Sequence, residues 1–119
     1  MAIKVGNIIQ FICNGKGRGN HYSVTALVTK LNRKTFDCTE QPRSYAPGTL
    51  WRIRFDNDSI TFPYTLWYSA NQNSYLLMRN DDPQASTMEP EYIHFRTITA
   101  RDINSAVRQR DQILSHIFK

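Results

Sequence analysis

The stretch Tyr22-Ser23-Val24-Thr25-Ala26-Leu27-Val28-Thr29-Lys30-Leu31, continued by Asn32-Arg33-Lys34 and Thr35-Phe36-Asp37-Cys38-Thr39, decides the fold. Its side chains alternate: Val24, Ala26 and Val28 point one way, Thr25, Leu27, Thr29 and Leu31 the other. A period of two belongs to a strand, because successive Cβ atoms leave opposite faces of the pleat, whereas a helix repeats every 3.6 residues. Asn32-Arg33-Lys34 supplies a turn in which Asn tolerates a left-handed conformation, and the chain returns with Phe36 and Cys38 on one face. A hairpin with a basic tip is the prediction.

On the N-terminal side, Val5-Gly6-Asn7-Ile8-Ile9-Gln10-Phe11-Ile12-Cys13 is a β-branched and aromatic run that ends at Asn14-Gly15-Lys16-Gly17-Arg18-Gly19-Asn20. Three glycines in five residues make that segment a tight loop. On the C-terminal side a Pro/Gly/Ser-rich loop, Gln41 to Gly48, leads to Leu50 to Phe55, which alternates again. Trp51, Ile53 and Phe55 share one face there, so Arg52 and Arg54 project from the other.

From Asp56 the character changes. Asp56-Asn57-Asp58-Ser59 is a turn, and strand candidates follow at residues 60–62, 66–69, 74–79 and 91–97. Between Arg79 and Tyr92 lies an acidic, Pro-containing segment expected to be a mobile loop. Thr99 reads as the N-cap of a terminal helix, with Asp102 three residues on. Ile103, Ala106, Val107, Ile113, Leu114 and Ile117 recur at helical spacing, which predicts a helix from about residue 100 to 117 docked on β-structure. The expected class is mainly β (β+α), divided into residues 1–56 and 57–119 or forming one integrated domain.

Charge separates the halves more sharply than composition does. Residues 1–59 hold nine Lys and Arg against four acids, while residues 60–119 hold six of each sign, so the whole net charge of +5 lies in the first half. A segregated basic surface suits a polyanion, since each cation that neutralises a phosphate releases condensed counterions. No apolar run approaches the roughly 20 residues of a membrane span, and the start Met1-Ala2-Ile3-Lys4 lacks a secretory h-region. A cytoplasmic location follows as an expectation, with no membrane partner. Cys13 and Cys38 each sit in a strand-like stretch without metal-ligand spacing and read as reduced thiols.

The segment from Lys4 to Arg54 resembles the KOW and SH3-like barrel modules of ribosomal proteins, transcription elongation factors and small bacterial or phage proteins. The resemblance rests on Val5-Gly6-Asn7-Ile8-Ile9-Gln10-Phe11 as first strand, the loop Gly15-Lys16-Gly17-Arg18-Gly19, the strand ending Leu31-Asn32-Arg33-Lys34-Thr35, and Trp51-Arg52-Ile53. A KOW segment has glycine just before its second strand; here Asn20-His21-Tyr22 intervenes. The resemblance implies an N-terminal SH3-like barrel that binds nucleic acid through its loops. Such barrels also bind proteins and peptides.

Lys16, Arg18, His21, Tyr22, Lys30, Arg33, Lys34, Arg52 and Arg54 are the candidate nucleic-acid contacts. Lys16 and Arg18 combine cations with glycine-loop N–H groups, but neither a P-loop nor a dinucleotide fingerprint has this spacing. Arg52 and Arg54, two residues apart, can follow successive phosphates; the alternative is cross-strand pairing with Asp37 or Glu40. For Arg33, Lys34 and Lys30 the alternative is plain solubilisation of a turn. His21, Tyr22, Tyr45 and Trp51 either stack on unpaired bases, cage a methylated cation, or pack the rim and core. Trp67, Tyr68 and Tyr75 read as core.

No catalytic constellation is visible: His21, His94 and His116 are isolated, and Glu91 and His94 fall on opposite faces of a strand. No cofactor or metal is expected. The sequence thus points to a non-enzymatic, low-specificity binder of double-stranded DNA, favoured over RNA, of the kind found among phage or bacterial accessory factors that act on DNA or transcription. A phage-encoded chain would act in the host cytoplasm. The alternative is a protein-interaction module, an inhibitor or adaptor of a host protein, using the barrel edge or the terminal helix. Oligomeric state is open.

Overall fold

A computed structural model describes residues 3–14 and 21–117, and the chain divides into two compact units, residues 1–61 and 62–119. The described residues are mainly β, with seven strands in two antiparallel sheets and one C-terminal α-helix.

In the first unit β1 (Ile8–Asn14), β2 (His21–Leu31), β3 (Thr35–Glu40) and β4 (Leu50–Arg54) form a meander in sequence order. Alternation drives it: Ile9 and Phe11, Val24, Ala26 and Val28, Phe36 and Cys38, and Ile53 are all buried on one side. Cross-strand partners Phe11 and Val24, Ile9 and Ala26, Val28 and Cys38, and Phe36 and Ile53 set those side chains in rows. In a flat sheet β1 and β4 would lie about 14 Å apart. Yet the Phe11 and Trp51 rings meet edge to face at 5.4 Å, so the sheet curls into a half-barrel around its own core. After β4 the chain turns through Asn57, whose Oδ1 accepts from Ser59, and Thr61 exchanges both backbone hydrogen bonds with Gln10 on the free side of β1 at 2.8 Å. Residues 57–61 are thereby tied to the first unit.

Strict alternation breaks once. The β2–β3 register shifts between Val28 and Lys30, so Thr29 is an extra residue, its Oγ1 donating to the Asp37 carbonyl at 3.3 Å. The bulge places Lys30 opposite Asp37, on the outer face, and Leu31 opposite Phe36. This corrects the expected grouping of Leu31 with Thr25, Leu27 and Thr29. The turn is closed by the Asn32 side chain, which donates to Thr35 Oγ1 and Asp37 Oδ1 at 3.1 Å. Asn32 is not among the residues at positive φ.

In the second unit β5 (Phe62–Ser69) is central, flanked by β6 (Ser74–Arg79) and β7 (Ile93–Ala100). Ile60 and Thr61 belong to the first unit, while the candidate at residues 66–69 and Phe62, the last residue of the candidate at 60–62, fall in this one strand despite Pro63. Its β6 ladder begins only at Tyr64, and the Pro63 carbonyl accepts from Asn80 N at 3.0 Å, so the missing N–H falls where no β6 partner needs it. Trp67 and Met78 pack with Met88. Met88 anchors the acidic segment expected to be mobile, which contains a 3₁₀ turn at Pro83–Thr87 capped by Asp82. Helix α1 (Ile103–Ile117) packs on β7 with Ala106 buried. Its cap is Asp102, whose Oδ1 accepts from Ser105 N at 2.8 Å; Thr99, the expected cap, is inside β7 because Ile98 and Ala100 are drawn into the core. No helix among the described residues is long and apolar enough to cross a membrane.

Candidate nucleic-acid interface

Pairing register gathers the cations of the first unit. Lys30, Asp37 and Arg52 stand side by side across β2, β3 and β4, and Thr35 and Arg54 form the next row toward the Asn32–Lys34 turn. Directly opposed residues share a face, so Lys30, Arg52 and Arg54 all project from the outer side. Arg33 and Lys34 stand at the adjoining hairpin tip, where the Lys34 carbonyl accepts from Phe55 N at 3.1 Å. Five of the nine candidate contacts therefore lie at one end of the sheet.

Two of the five have carboxylate partners. Arg52 grips Asp37 through Nε at 2.9 Å and an η nitrogen at 3.4 Å. Arg54 grips Asp56 at 2.9 and 3.0 Å. The hydrogen bond from Arg52, helped by Asn32 and the nearby Lys30 charge, holds the Asp37 carboxyl below its ordinary range. Arg54 does the same for Asp56, and each guanidinium is shifted up in return. Both arginine side chains remain about two-thirds exposed, at 68% and 67%. Exposed pairs of this kind are individually weak because water screens them, and a phosphate offers the same two-pronged acceptor as a carboxylate. Exchange of one for the other is chemically close to even. Lys30, Arg33 and Lys34 are exposed and form no ion pair with a described residue.

Two shallow grooves flank Arg52. One, of about 360 Å³, is lined by Thr29, Asp37, Cys38, Leu50, Trp51 and Arg52. The other, of about 570 Å³, is lined by Arg52, Ile53, Arg54, Asp56, Asn57 and Asp58.

Of the remaining candidates, Tyr22 alone has a described side chain. Lys16, Arg18 and the His21 side chain lie outside the described residues. Tyr22 is at the opposite end of the eleven-residue β2, at most about 26 Å from Lys30 at strand rise. Its ring packs on Tyr45 with centroids 4.5 Å apart, and a hydrogen bond to Cys13, with burial adding to it, pushes its phenol up to about 12. Trp51 is unavailable for stacking: its indole N–H donates to Glu40 at 2.7 Å and its ring abuts Phe11. Trp67 is core, while Tyr68, Tyr75 and Phe95 form a half-buried cluster. Glu91 accepts from Ser69 and His94 bonds Thr97, so these two residues have separate partners.

Sequence reasoning offered Glu40 only as a cross-strand partner for Arg52 or Arg54 and missed its buried role. The residue is 3% exposed, and its carboxylate accepts from Ala46 N at 2.8 Å as well as from Trp51. Burial would raise its pKa, but these donors, with Ser44, outweigh it and the group is shifted down. The available signal was an acid at an inward-facing strand position, after Phe36 and Cys38. Comparison of the chain with protein-family models, with curated proteins and with solved structures returned no match.

Proposed function

We propose that the first unit is a small SH3-like module that binds the phosphate backbone of nucleic acid, double-stranded DNA in preference to RNA, through the outer face of β2–β4 and the Asn32–Lys34 turn. The observation that carries the reading is the convergence of Lys30, Arg33, Lys34, Arg52 and Arg54 at one end of the sheet. The curled meander and the return of Thr61 to the free side of β1 support the barrel comparison. Contacts from guanidinium and ammonium groups to phosphate oxygens carry no sequence information, so a phosphate-binding face of this kind has low sequence specificity. The module acts by binding and not by catalysis in this reading.

The test is fluorescence anisotropy with labelled duplex DNA, single-stranded DNA and duplex RNA over a range of salt. For three to five engaged cations, the logarithm of duplex affinity falls against log salt with a slope of about −3 to −4.5. Salt-insensitive binding, or none at low salt, would transfer the face to a protein partner, whose apolar contacts respond little to ionic strength.

A further inference from the structure

The end of the first sheet opposite the cation cluster carries a feature that phosphate binding does not use. Tyr45 is 74% exposed, against 38% for Phe55, the next most exposed Phe, Tyr or Trp among the described residues. Tyr22 packs against it at 4.5 Å with the planes tilted by 34°, so one side of the Tyr45 ring is backed and most of the rest is open to solvent.

Its loop is fastened at several points. Gln41 N donates to the Thr25 carbonyl at 2.9 Å, Thr25 N donates to Ser44 Oγ at 3.1 Å, and Ala46 N donates to the buried Glu40 carboxylate. Gly48, at φ +85°, returns the chain to β4 with its N–H on the Glu40 carbonyl. Folding normally turns a large ring inward or leaves it on a loose loop. Here a buried carboxylate, costly unless fully hydrogen-bonded, holds in place the loop whose outermost ring faces water. An aromatic face fixed in advance loses little entropy on binding and suits a flat, delocalised partner. Arg43, exposed and without an ion pair to a described residue, stands two positions away.

We infer that Tyr45, backed by Tyr22, is a stacking site for an unpaired nucleobase, with Arg43 taking an adjoining phosphate. The protein then has two separate nucleic-acid contacts, a phosphate-binding sheet face and a base-stacking loop. The second rests on the proposed function only for the class of ligand.

The experiment compares a fluorescein-labelled six-nucleotide oligodeoxyadenylate with an abasic strand of the same length and charge, alongside a blunt duplex. Stacking on an aromatic side chain predicts about fivefold or more tighter binding of the base-bearing strand. Tyr45→Ala should abolish that ratio, Tyr45→Trp should keep it, and neither should move duplex affinity or the melting temperature. Arg33→Glu with Lys34→Glu should weaken duplex binding and leave the ratio intact. Equal affinity of the wild type for both strands, or an equal loss on both in Tyr45→Ala, overturns the stacking site. So does binding of a trimethyl-lysine peptide without binding of the oligonucleotide, which would assign the rings to a methylated cation. A preserved base preference without duplex binding would sink the phosphate face and leave the stacking site standing.

Discussion

Glu40 and Trp51 are joined across the floor of the first unit: the indole N–H donates to one carboxylate oxygen at 2.7 Å while Ala46 N donates to the other at 2.8 Å. Glu40→Gln keeps an acceptor for one donor but sets an amide N–H₂ against the other. A buried donor left unsatisfied costs about 1–3 kcal/mol, the loss expected in urea unfolding at pH 7. The pH dependence has a definite sign. A carboxyl whose pKa is lower folded than unfolded contributes stability above its unfolded value of 4.5 and loses it as pH falls through the folded one. The stability gap between wild type and Glu40→Gln should therefore be full at neutral pH and narrow below about pH 4. A gap that stays constant to pH 2.5 would show that the charge is not what holds the loop.

Asp37 lies between Lys30 and Arg52 in one cross-strand row, and occupies the guanidinium that the proposed interface needs. Asp37→Asn should free Arg52 and tighten duplex DNA binding, several-fold at about 0.1 M salt, with the salt slope steeper by roughly one. Weaker binding in this variant would mean that Asp37 orients Arg52 for the ligand instead of competing with it. Anisotropy at four salt concentrations separates the two.

Charge reversal tests which half of the chain holds the site. Arg33→Glu with Lys34→Glu removes two cations that have no ion pair with a described residue, and should reduce duplex affinity by at least tenfold, equally across sequences. Arg108→Glu with Arg110→Glu changes the same formal charge on α1, where Arg108 bonds Ser105 and Arg110 bonds Asp111, and should change affinity less than threefold. Equal losses from both pairs would leave only long-range net charge as the cause.

Much of the first sheet was legible because a half-buried antiparallel strand writes its burial into every second residue: Val24, Ala26, Val28, Phe36 and Cys38 are inward as the alternation requires. The basic tip was legible for the same reason. Long-range choices were not. Thr99 is as good a helix cap as Asp102 by local chemistry, and only the burial of Ile98 and Ala100 commits it to a strand. The segment containing Asp81, Asp82 and Pro83 looks solvated, yet Ala85 and Met88 pack on Trp67 and Met78, residues distant in sequence, and Asp81 pairs with Arg79. For the site, residue types indicated cations, but their convergence depends on register, and register depends on a bulge that composition does not reveal.

That bulge is itself open to test. Paired as an ordinary ladder residue, Thr29 would point outward and unbroken alternation would turn Lys30 inward; as the extra residue it returns Lys30 to the outer face beside Asp37. Deletion of Thr29 leaves Val28 opposite Cys38 and Lys30 opposite Asp37 in one uninterrupted ladder, with Val28 inward and Lys30 outward. The deletion should therefore keep the cation row and bind duplex DNA within about threefold of the wild type. Thr29→Ala keeps the residue count and loses only a hydroxyl bond of 3.3 Å to the Asp37 carbonyl, which predicts about 1 kcal/mol or less. Urea unfolding and anisotropy on both variants check this. A deletion that stays folded yet loses about tenfold or more in duplex affinity, where Thr29→Ala does not, would show that the local twist of the bulge, and not the facing of Lys30 alone, sets the cation row.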